Sequence, residues 1–170
     1  MALAELLAED LRTHDGDLLS PGFWALCAHR LGARATRISQ PLLRGAALTA
    51  HAALAIGVDW TWGIHIPIDT KLGRRIRIWH FGSLFLNARS IGDDVHLRHD
   101  TTVDALRPTD TRHRHARPVI EDEVDVGSGA CIMGAVTVGR GSRVGANTVV
   151  LESVPAGVTV FGVPSRILAT

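Results

Sequence analysis

Apolar residues recur at every sixth position in the C-terminal part of the chain. The series consists of Ile120, Val126, Ile132, Val138, Val144 and Val150. A helix repeats its apolar positions every 3.6 residues and an ordinary strand every 2, so a sustained period of six indicates a short strand followed by a turn. Three such strands form one triangular coil, in which branched side chains fill a narrow interior. The pattern therefore predicts a β-solenoid.

The same spacing extends toward the N-terminus, with two interruptions. It continues at Ile91, Leu97 and Val103 and, displaced by one residue, at Ile66, Leu72 and Ile78. About four to five coils result. The interruptions are one extra residue between Ile78 and Ile91 and the polar segment 106–117. Because the loops that interrupt a solenoid commonly carry its function, we expect the functional residues there.

The N-terminal part of the chain predicts three helices. The first has an apolar face formed by Leu3, Leu6, Leu7 and Leu11. Ser20 followed by Pro21 is a favourable start for the second, which ends near Gly32. The third begins at Pro41 and continues toward Val58. We therefore divide the chain into a helical region, 1–60, and a solenoid domain with a C-terminal tail, 61–170, and we expect Trp60 and Trp62 to cap the open end of the coil.

Composition excludes several classes of protein. The net charge of +1 over 170 residues argues against nucleic-acid binding, which requires a basic excess on one face. Cys27 and Cys131 lie far apart, which is typical of reduced thiols in a cytoplasmic protein. The acidic N-terminus lacks the features of a signal peptide. The apolar run 46–58 is shorter than the ~20 residues of a spanning helix, so no membrane span is predicted.

Four segments together resemble a known family. They are FWALCAHRLG (23–32), KLGRRIRIWHFGS (71–83), the repeat 117–150 and the ending VPAGVTVFGVPSRIL (154–168). They are similar to the serine acetyltransferase branch of the hexapeptide-repeat acyltransferases. The resemblance implies a mainly β protein with N-terminal helices, folded as a left-handed parallel β-helix. It also implies a homotrimer that binds acetyl-CoA in the groove between neighbouring coils.

His80, at the first interruption, matches the catalytic histidine of that family. Acyl transfer from a thioester to a hydroxyl requires a base, because a neutral alcohol is a weak nucleophile, and an imidazole is suited to this task at neutral pH. The resemblance therefore implies that His80 is a general base. The alternative is a histidine that only fills a corner of the coil.

The residues around His80 depart from the family pattern. The family has two aspartates that hold the ammonium group of serine, and the matching positions here are Trp79 and His65. Without that counter-charge serine is an unfavourable acceptor. An indole suits the apolar face of a sugar or another flat or aliphatic acceptor. Alternatively, Trp79 packs against a neighbouring chain.

The second interruption matches a family loop that ends in a histidine before a proline. Here that position is Arg117, and His115 lies two residues earlier. Either His115 takes the catalytic role of the missing histidine, or Arg117 binds an acidic acceptor such as a uronic acid or a phosphorylated intermediate. His113 and Arg114 are equally well explained as solvated loop residues.

The resemblance also implies the donor site. Small residues that match the pantetheine contacts are Ser128, Gly129, Ala130, Gly145 and Ala146, and candidates for the phosphates are Arg140, Arg143 and Arg166. Ordinary surface charge explains the three arginines equally well. Cys131 is expected at an inward or corner position, so it is no acyl carrier. We expect no metal, because neither His96 with His99 nor His113 with His115 has further ligands at a matching spacing.

The sequence thus predicts an acetyl-CoA-dependent O-acetyltransferase that moves the acyl group directly to a hydroxyl of a small-molecule acceptor, a sugar or a specialised metabolite. One alternative is a serine acetyltransferase with an altered acceptor site. The other is a non-catalytic solenoid that serves as an assembly scaffold.

Overall fold

The computed structural model describes residues 2–110 and 113–168, and it begins with three helices. They are α1 (Leu3–Thr13), α2 (Pro21–Ala35) and α3 (Pro41–Trp62). The predicted helix starts at Pro21 and Pro41 are confirmed, although the Ser20 side chain makes no capping hydrogen bond. The third helix extends to Trp62, beyond the predicted end, and Gly63 terminates it in a left-handed conformation (φ +65°).

Short parallel strands then wind into a three-sided prism of about five coils. Face A contains β1 (Ile64–His65), β4 (Leu84–Leu86), β7 (Thr102–Asp104), β10 (Cys131–Met133) and β13 (Val149–Val150). Face B contains β2 (Lys71–Leu72), β5 (Ser90–Ile91), β8 (Val119–Ile120) and β11 (Thr137–Val138). Face C contains β3 (Arg77–Ile78), β6 (His96–Leu97), β9 (Asp125–Val126), β12 (Arg143–Val144) and β14 (Thr159–Phe161), with β15 (Arg166–Ile167) antiparallel at the end.

The buried core of the solenoid follows the six-residue period of the sequence. In most strands one residue points inward and is almost fully buried; examples are Ile91, Leu97, Val103, Ile120 and Ile132. Ala130, Ser142 and Thr148 have no exposed surface, as expected for crowded corners. The first coil differs, because its inward strand residue is Ile64 and Ile66 is only partly buried.

Cys131 is not at an inward or corner position, and that prediction is wrong. In β10 the inward residue is Ile132, so its neighbour Cys131 projects from the outer surface of face A. It is half-buried there, and burial raises the pKa of its thiol. Cys27 is buried in α2, and desolvation raises its pKa to about 11. Both cysteines are free.

Buried polar contacts join the helices to the first coil. The Arg30 guanidinium donates to the Asp10 carboxylate at 3.1 Å and to the carbonyls of Leu72 and Gly73 at 3.2 and 2.6 Å. His14 donates from Nδ1 to the Asp10 carbonyl, and its Nε2 accepts from the Ile78 N–H at 3.3 Å. Burial lowers the pKa of His14, which favours this neutral form. The helical region thereby holds β3, which lies immediately before Trp79 and His80.

Most of α3 lies outside the core. Val58 is its only fully buried residue, whereas Leu42, Leu43 and Ile56 are exposed. Trp62 packs against the core but Trp60 is 86% exposed, so only one of the two tryptophans acts as the expected cap. By length and composition alone α3 could cross a membrane, since its best 18-residue window has a mean hydropathy of 1.3 and is 6% buried. Core helices and signal sequences pass the same test, and the prediction of no membrane span stays a prediction.

Candidate active site

One edge of the prism brings together most of the residues that the sequence singled out. It is the corner at which the chain passes from face C to face A, and it consists of residues 79–83, 98–101, 127–130 and 145–148; we call it the histidine edge. Backbone hydrogen bonds fix how its levels stack. The Asp100 N–H donates to the Gly82 carbonyl, the Gly129 N–H to the His99 carbonyl and the Asn147 N–H to the Ser128 carbonyl, at 2.8–3.0 Å.

His80 lies exposed at the lowest level of this edge, as the first interruption predicts. His99 lies one coil above it, with the two ring centroids 5.6 Å apart and the rings edge-on at 67°. The His99 Nδ1 atom is buried and has no hydrogen-bond partner among the residues that the structure describes. A pair of imidazoles therefore forms the lower half of the histidine edge.

Trp79 borders His80 on the face C side. Its indole N–H donates to His96 Nδ1 at 3.1 Å, and the Arg77 guanidinium lies 4.0 Å above its ring, a favourable cation–π distance. These contacts hold the indole in place while 42% of the residue remains exposed. Trp79 is thus available to an acceptor or to a neighbouring chain, the two roles that the sequence left open.

His65 borders the same edge on the face A side, one coil below. Its Nδ1 lies 3.0 Å from Asp59 Oδ2, and its ring stacks on Phe85 at 5.1 Å. Asp59 belongs to the last turn of α3, which ends at Gly63 directly beneath Gly82. The histidine at position 65, where the family has an aspartate, therefore does not leave the lower end of this edge without a carboxylate, because Asp59 supplies one.

The upper half of the edge carries the predicted pantetheine contacts. Ser128, Gly129 and Ala130 form one level, and Gly145 with Ala146 forms the next. A Cβ at Gly127 would lie 2.5 Å from the Ala146 backbone nitrogen, and one at Gly129 would lie 2.2 Å from Asn147 Oδ1. These glycines allow the coils to stack closely, and the small residues beside them, such as the exposed Ala146, leave room for a ligand to approach the backbone.

The three arginines assigned to the CoA phosphates lie elsewhere. Arg140 is at the corner between faces B and C, where its guanidinium pairs with Asp122 and with Glu123. Arg143 projects from β12 on face C, one strand above Asp125. Arg166 is exposed on β15. Arg143 is the nearest of the three to the upper half along the chain, since Gly145 follows two residues later.

The loop at the second interruption lies at a different corner, between faces A and B. Its described part contains the short 3-10 helices Pro108–Asp110 and Arg114–Ala116. Arg117 is buried and donates to Asp69 Oδ2 at 2.8 Å, so its positive charge is paired with a carboxylate of the same chain. His115 is exposed and stacks on His113 at 6.2 Å. Within one chain neither His115 nor Arg117 joins His80, and their predicted roles stay untested.

Sequence reasoning missed the contributions of Asp59 and His99. His99 was considered only as a metal ligand with His96, yet across residues 2–110 and 113–168 no group of three or more potential ligands converges. A usable signal existed, because His99 follows His80 by 19 residues, which is one coil plus the extra residue. Asp59 has no such signal, since it lies on a helix outside the repeat.

Known proteins resemble this chain in sequence and in fold. A serine acetyltransferase from Mycobacterium tuberculosis is 35% identical over 149 residues, which are 87% of this chain and 61% of that protein. One from Helicobacter pylori is 34% identical over 150 residues, 88% of this chain and 82% of that protein. The chain thus spans less than two thirds of the Mycobacterium relative.

Solved structures agree with the sequence relatives. The crystal structure of a serine acetyltransferase from Brucella abortus in complex with coenzyme A covers 98% of this chain and 67% of its own, with a TM-score of 0.78 and 27% identity. The expected fold, a left-handed parallel β-helix with N-terminal helices, is confirmed. No family model matches the chain.

Proposed function

Because the chain belongs to the serine acetyltransferase family, we propose that it transfers the acetyl group of acetyl-CoA to the hydroxyl of serine, with His80 as general base. The observation that carries the proposal is the histidine edge, on which the exposed imidazole of His80 lies two coils below a strip of small residues that leaves the backbone open to a ligand. A donor bound along the strip would bring its thioester down to His80. The Brucella relative, which was crystallised with coenzyme A, supports this donor.

The reaction needs no covalent enzyme intermediate. His80 accepts the proton of the acceptor hydroxyl as its oxygen attacks the thioester carbon, and the carbonyl electron pair moves onto oxygen. Collapse of this tetrahedral adduct breaks the carbon–sulfur bond. The CoA sulfur leaves and takes the proton back from His80, so the base is regenerated. Cys131 takes no part, because it projects from the middle of face A.

Asp59 supports serine as the acceptor. The sequence-based preference for a sugar rested on the loss of counter-charge at Trp79 and His65, and the comparisons do not support that preference. Asp59 lies at the C-terminal end of α3, where the helix dipole disfavours an acid and favours a cation. We infer that this carboxylate, together with the end of the helix, binds the ammonium group of serine.

A homotrimer fits the distribution of apolar residues. The outward positions of face A form a column of His65, Phe85, Thr102, Cys131 and Val149. Packing this weakly polar face against a neighbour would place the histidine edge at a subunit boundary. The loop at the other edge of face A would then lie close to the neighbour's His80. The two free thiols favour a cytoplasmic location.

The first test is thiol release from acetyl-CoA with serine, a panel of sugars and a hydroxy acid that lacks the amino group. We expect turnover with serine. In Asp59→Asn, the KM for serine should rise about tenfold or more, while the KM for acetyl-CoA should stay within about twofold. Glu152→Gln, an exposed acid on the uppermost coil, is the matched control.

Other outcomes would change the role assigned to Asp59, the acceptor or the function of the protein. Equal effects of Asp59→Asn on serine and on the hydroxy acid would show that Asp59 does not bind the ammonium group. Turnover only with a sugar would restore the preference that Trp79 suggested. Absence of both turnover and CoA binding would favour the scaffold.

A further inference from the structure

His99 occupies the level between the base and the donor strip. Counted two residues on from the paired strands of face C, the positions going up the histidine edge are His80, His99, Ser128 and Ala146. A thioester held by the strip and attacked beside His80 must therefore pass His99. The inference that follows rests on the proposed acetyl transfer, but it concerns a residue to which no role was assigned.

The two ring nitrogens of His99 have different surroundings. Nδ1 is covered and lacks a hydrogen-bond partner among the described residues, whereas Nε2 lies 4.0 Å from Asp100 Oδ2 and the side chain is 41% exposed. Unpaired N–H donors are rarer in protein interiors than unfilled acceptors. The neutral tautomer that fits carries its proton on Nε2, so an N–H points away from the covered side of the ring.

The other histidines near this edge are already engaged. His96 Nδ1 accepts from the Trp79 indole, and His65 Nδ1 is paired with Asp59. His14 uses both ring nitrogens on backbone groups. Unlike these three, the His99 side chain makes no hydrogen bond within the described ranges. Backbone bonds from Asp100 to Gly82 and from Gly129 to His99 hold its level of the coil in place.

We propose that His99 is a second catalytic residue, which donates a hydrogen bond from Nε2 to the carbonyl oxygen of the bound thioester. When the hydroxyl attacks, the electron pair moves onto that oxygen and the same bond strengthens. A preorganised donor of this kind is typically worth about 10²–10³ in kcat. His80 and His99 therefore have separate tasks: the first accepts the proton, and the second stabilises the charge that develops on oxygen.

The test compares His99→Leu, which removes the donor, with His99→Gln, which keeps an N–H. We expect kcat to fall about 100-fold in His99→Leu and less in His99→Gln, with the KM for acetyl-CoA within about threefold of wild type. The infrared carbonyl stretch of bound acetyl-CoA, recorded without an acceptor, should lie at higher frequency in His99→Leu than in wild type. The melting temperature reports folding, and Arg44→Leu, at the exposed start of α3, is the control.

Two results would overturn the proposal: an unchanged carbonyl stretch in His99→Leu, or a loss of activity matched in both variants by a fall in melting temperature. If wild type releases no thiol with any acceptor but its bound thioester still shows the His99-dependent stretch, the proposed function and the catalytic role of His99 fail, and only the contact between His99 and the thioester carbonyl stands. If acetyl-CoA does not bind at all, both fail.

Discussion

The lower and upper halves of the histidine edge are built on the same coil but present different chemistry. The lower half carries the imidazoles of His80 and His99, flanked by Trp79 and the Asp59–His65 pair. The upper half carries glycine, alanine and serine, so it presents small side chains and a backbone that a ligand can approach closely. In a stacked coil each level has its own side chain at the same corner. The residues that react and the residues that bind the donor can therefore lie at different levels of the same edge.

The largest effect is expected from removing the base in the lower half. His80→Ala should lower kcat about 10²–10⁴-fold, because the acceptor hydroxyl then loses its proton only to water. Binding of CoA, measured by calorimetry, should stay within about threefold, since the strip lies two coils higher. A variant that keeps more than a tenth of wild-type kcat would contradict the assignment of the base to His80, and Arg44→Ala, at the exposed start of α3, serves as control.

The next prediction concerns the stability of the protein at low pH, and it depends on a histidine of the helical region, outside the histidine edge. His29 is 4% exposed, its ring lies near the backbone of Pro67 and Thr70 without a hydrogen bond, and desolvation lowers its pKa from 6.5 to about 4. The unfolded chain takes up this proton near pH 6.5 and the folded chain only near pH 4. The free energy of unfolding should therefore fall as the pH drops through that window, by about 3 kcal/mol in total.

Denaturant unfolding at pH 7, 5 and 4 measures this loss. His29→Gln should show a shallower pH dependence than wild type, although His14 contributes in the same direction. An unchanged dependence in His29→Gln would show that another group controls acid stability. The comparison tells how much of any activity lost at low pH is due to unfolding of the protein.

A smaller effect is expected from filling the upper half. Ala146 is exposed on the strip, and Ala146→Leu should weaken acetyl-CoA binding about tenfold, or ~1.4 kcal/mol, by filling the space beside the backbone. At saturating donor kcat should be nearly unchanged. Ala156→Leu makes the same change at the corner between faces B and C and should bind normally. Equal binding by both variants would place the donor elsewhere.

The smallest effect concerns Arg140. Its charge is already met by Asp122 and Glu123 at a different corner, so Arg140→Ala should alter the Kd for CoA by less than about twofold. A larger change would mean that the donor crosses face C to reach it. Calorimetry on this variant thus tests whether the CoA site extends across face C to Arg140.

The solenoid was predictable because its signal is periodic. Leu97, Val126 and Ile132 point inward as their spacing requires, and the helix starts follow from Pro21 and Pro41. The error at Cys131 came from assigning one strand residue to the wrong side. Errors of one residue matter most in strands, where neighbouring side chains point to opposite faces.

The site was predictable only where it follows the repeat. His80 marks an interruption, and Ser128 and Ala146 occupy repeat corners. Asp59 reaches the foot of the edge from α3, and nothing in the local pattern places that helix against His65. The pairing of Arg117 with Asp69 is likewise set by tertiary structure and has no signal in the local pattern.

The coil also acts as a molecular ruler. Neighbouring strands lie about 4.8 Å apart, so the three steps from His80 to Ala146 span about 14 Å along the edge. Each step is set by backbone pairing, and side-chain substitutions hardly change it. Duplicating one complete coil between His99 and Ser128 would preserve every local contact while moving the donor strip about 4.8 Å farther from the base. Such a lengthened protein should still hold CoA but deliver its thioester one level too high.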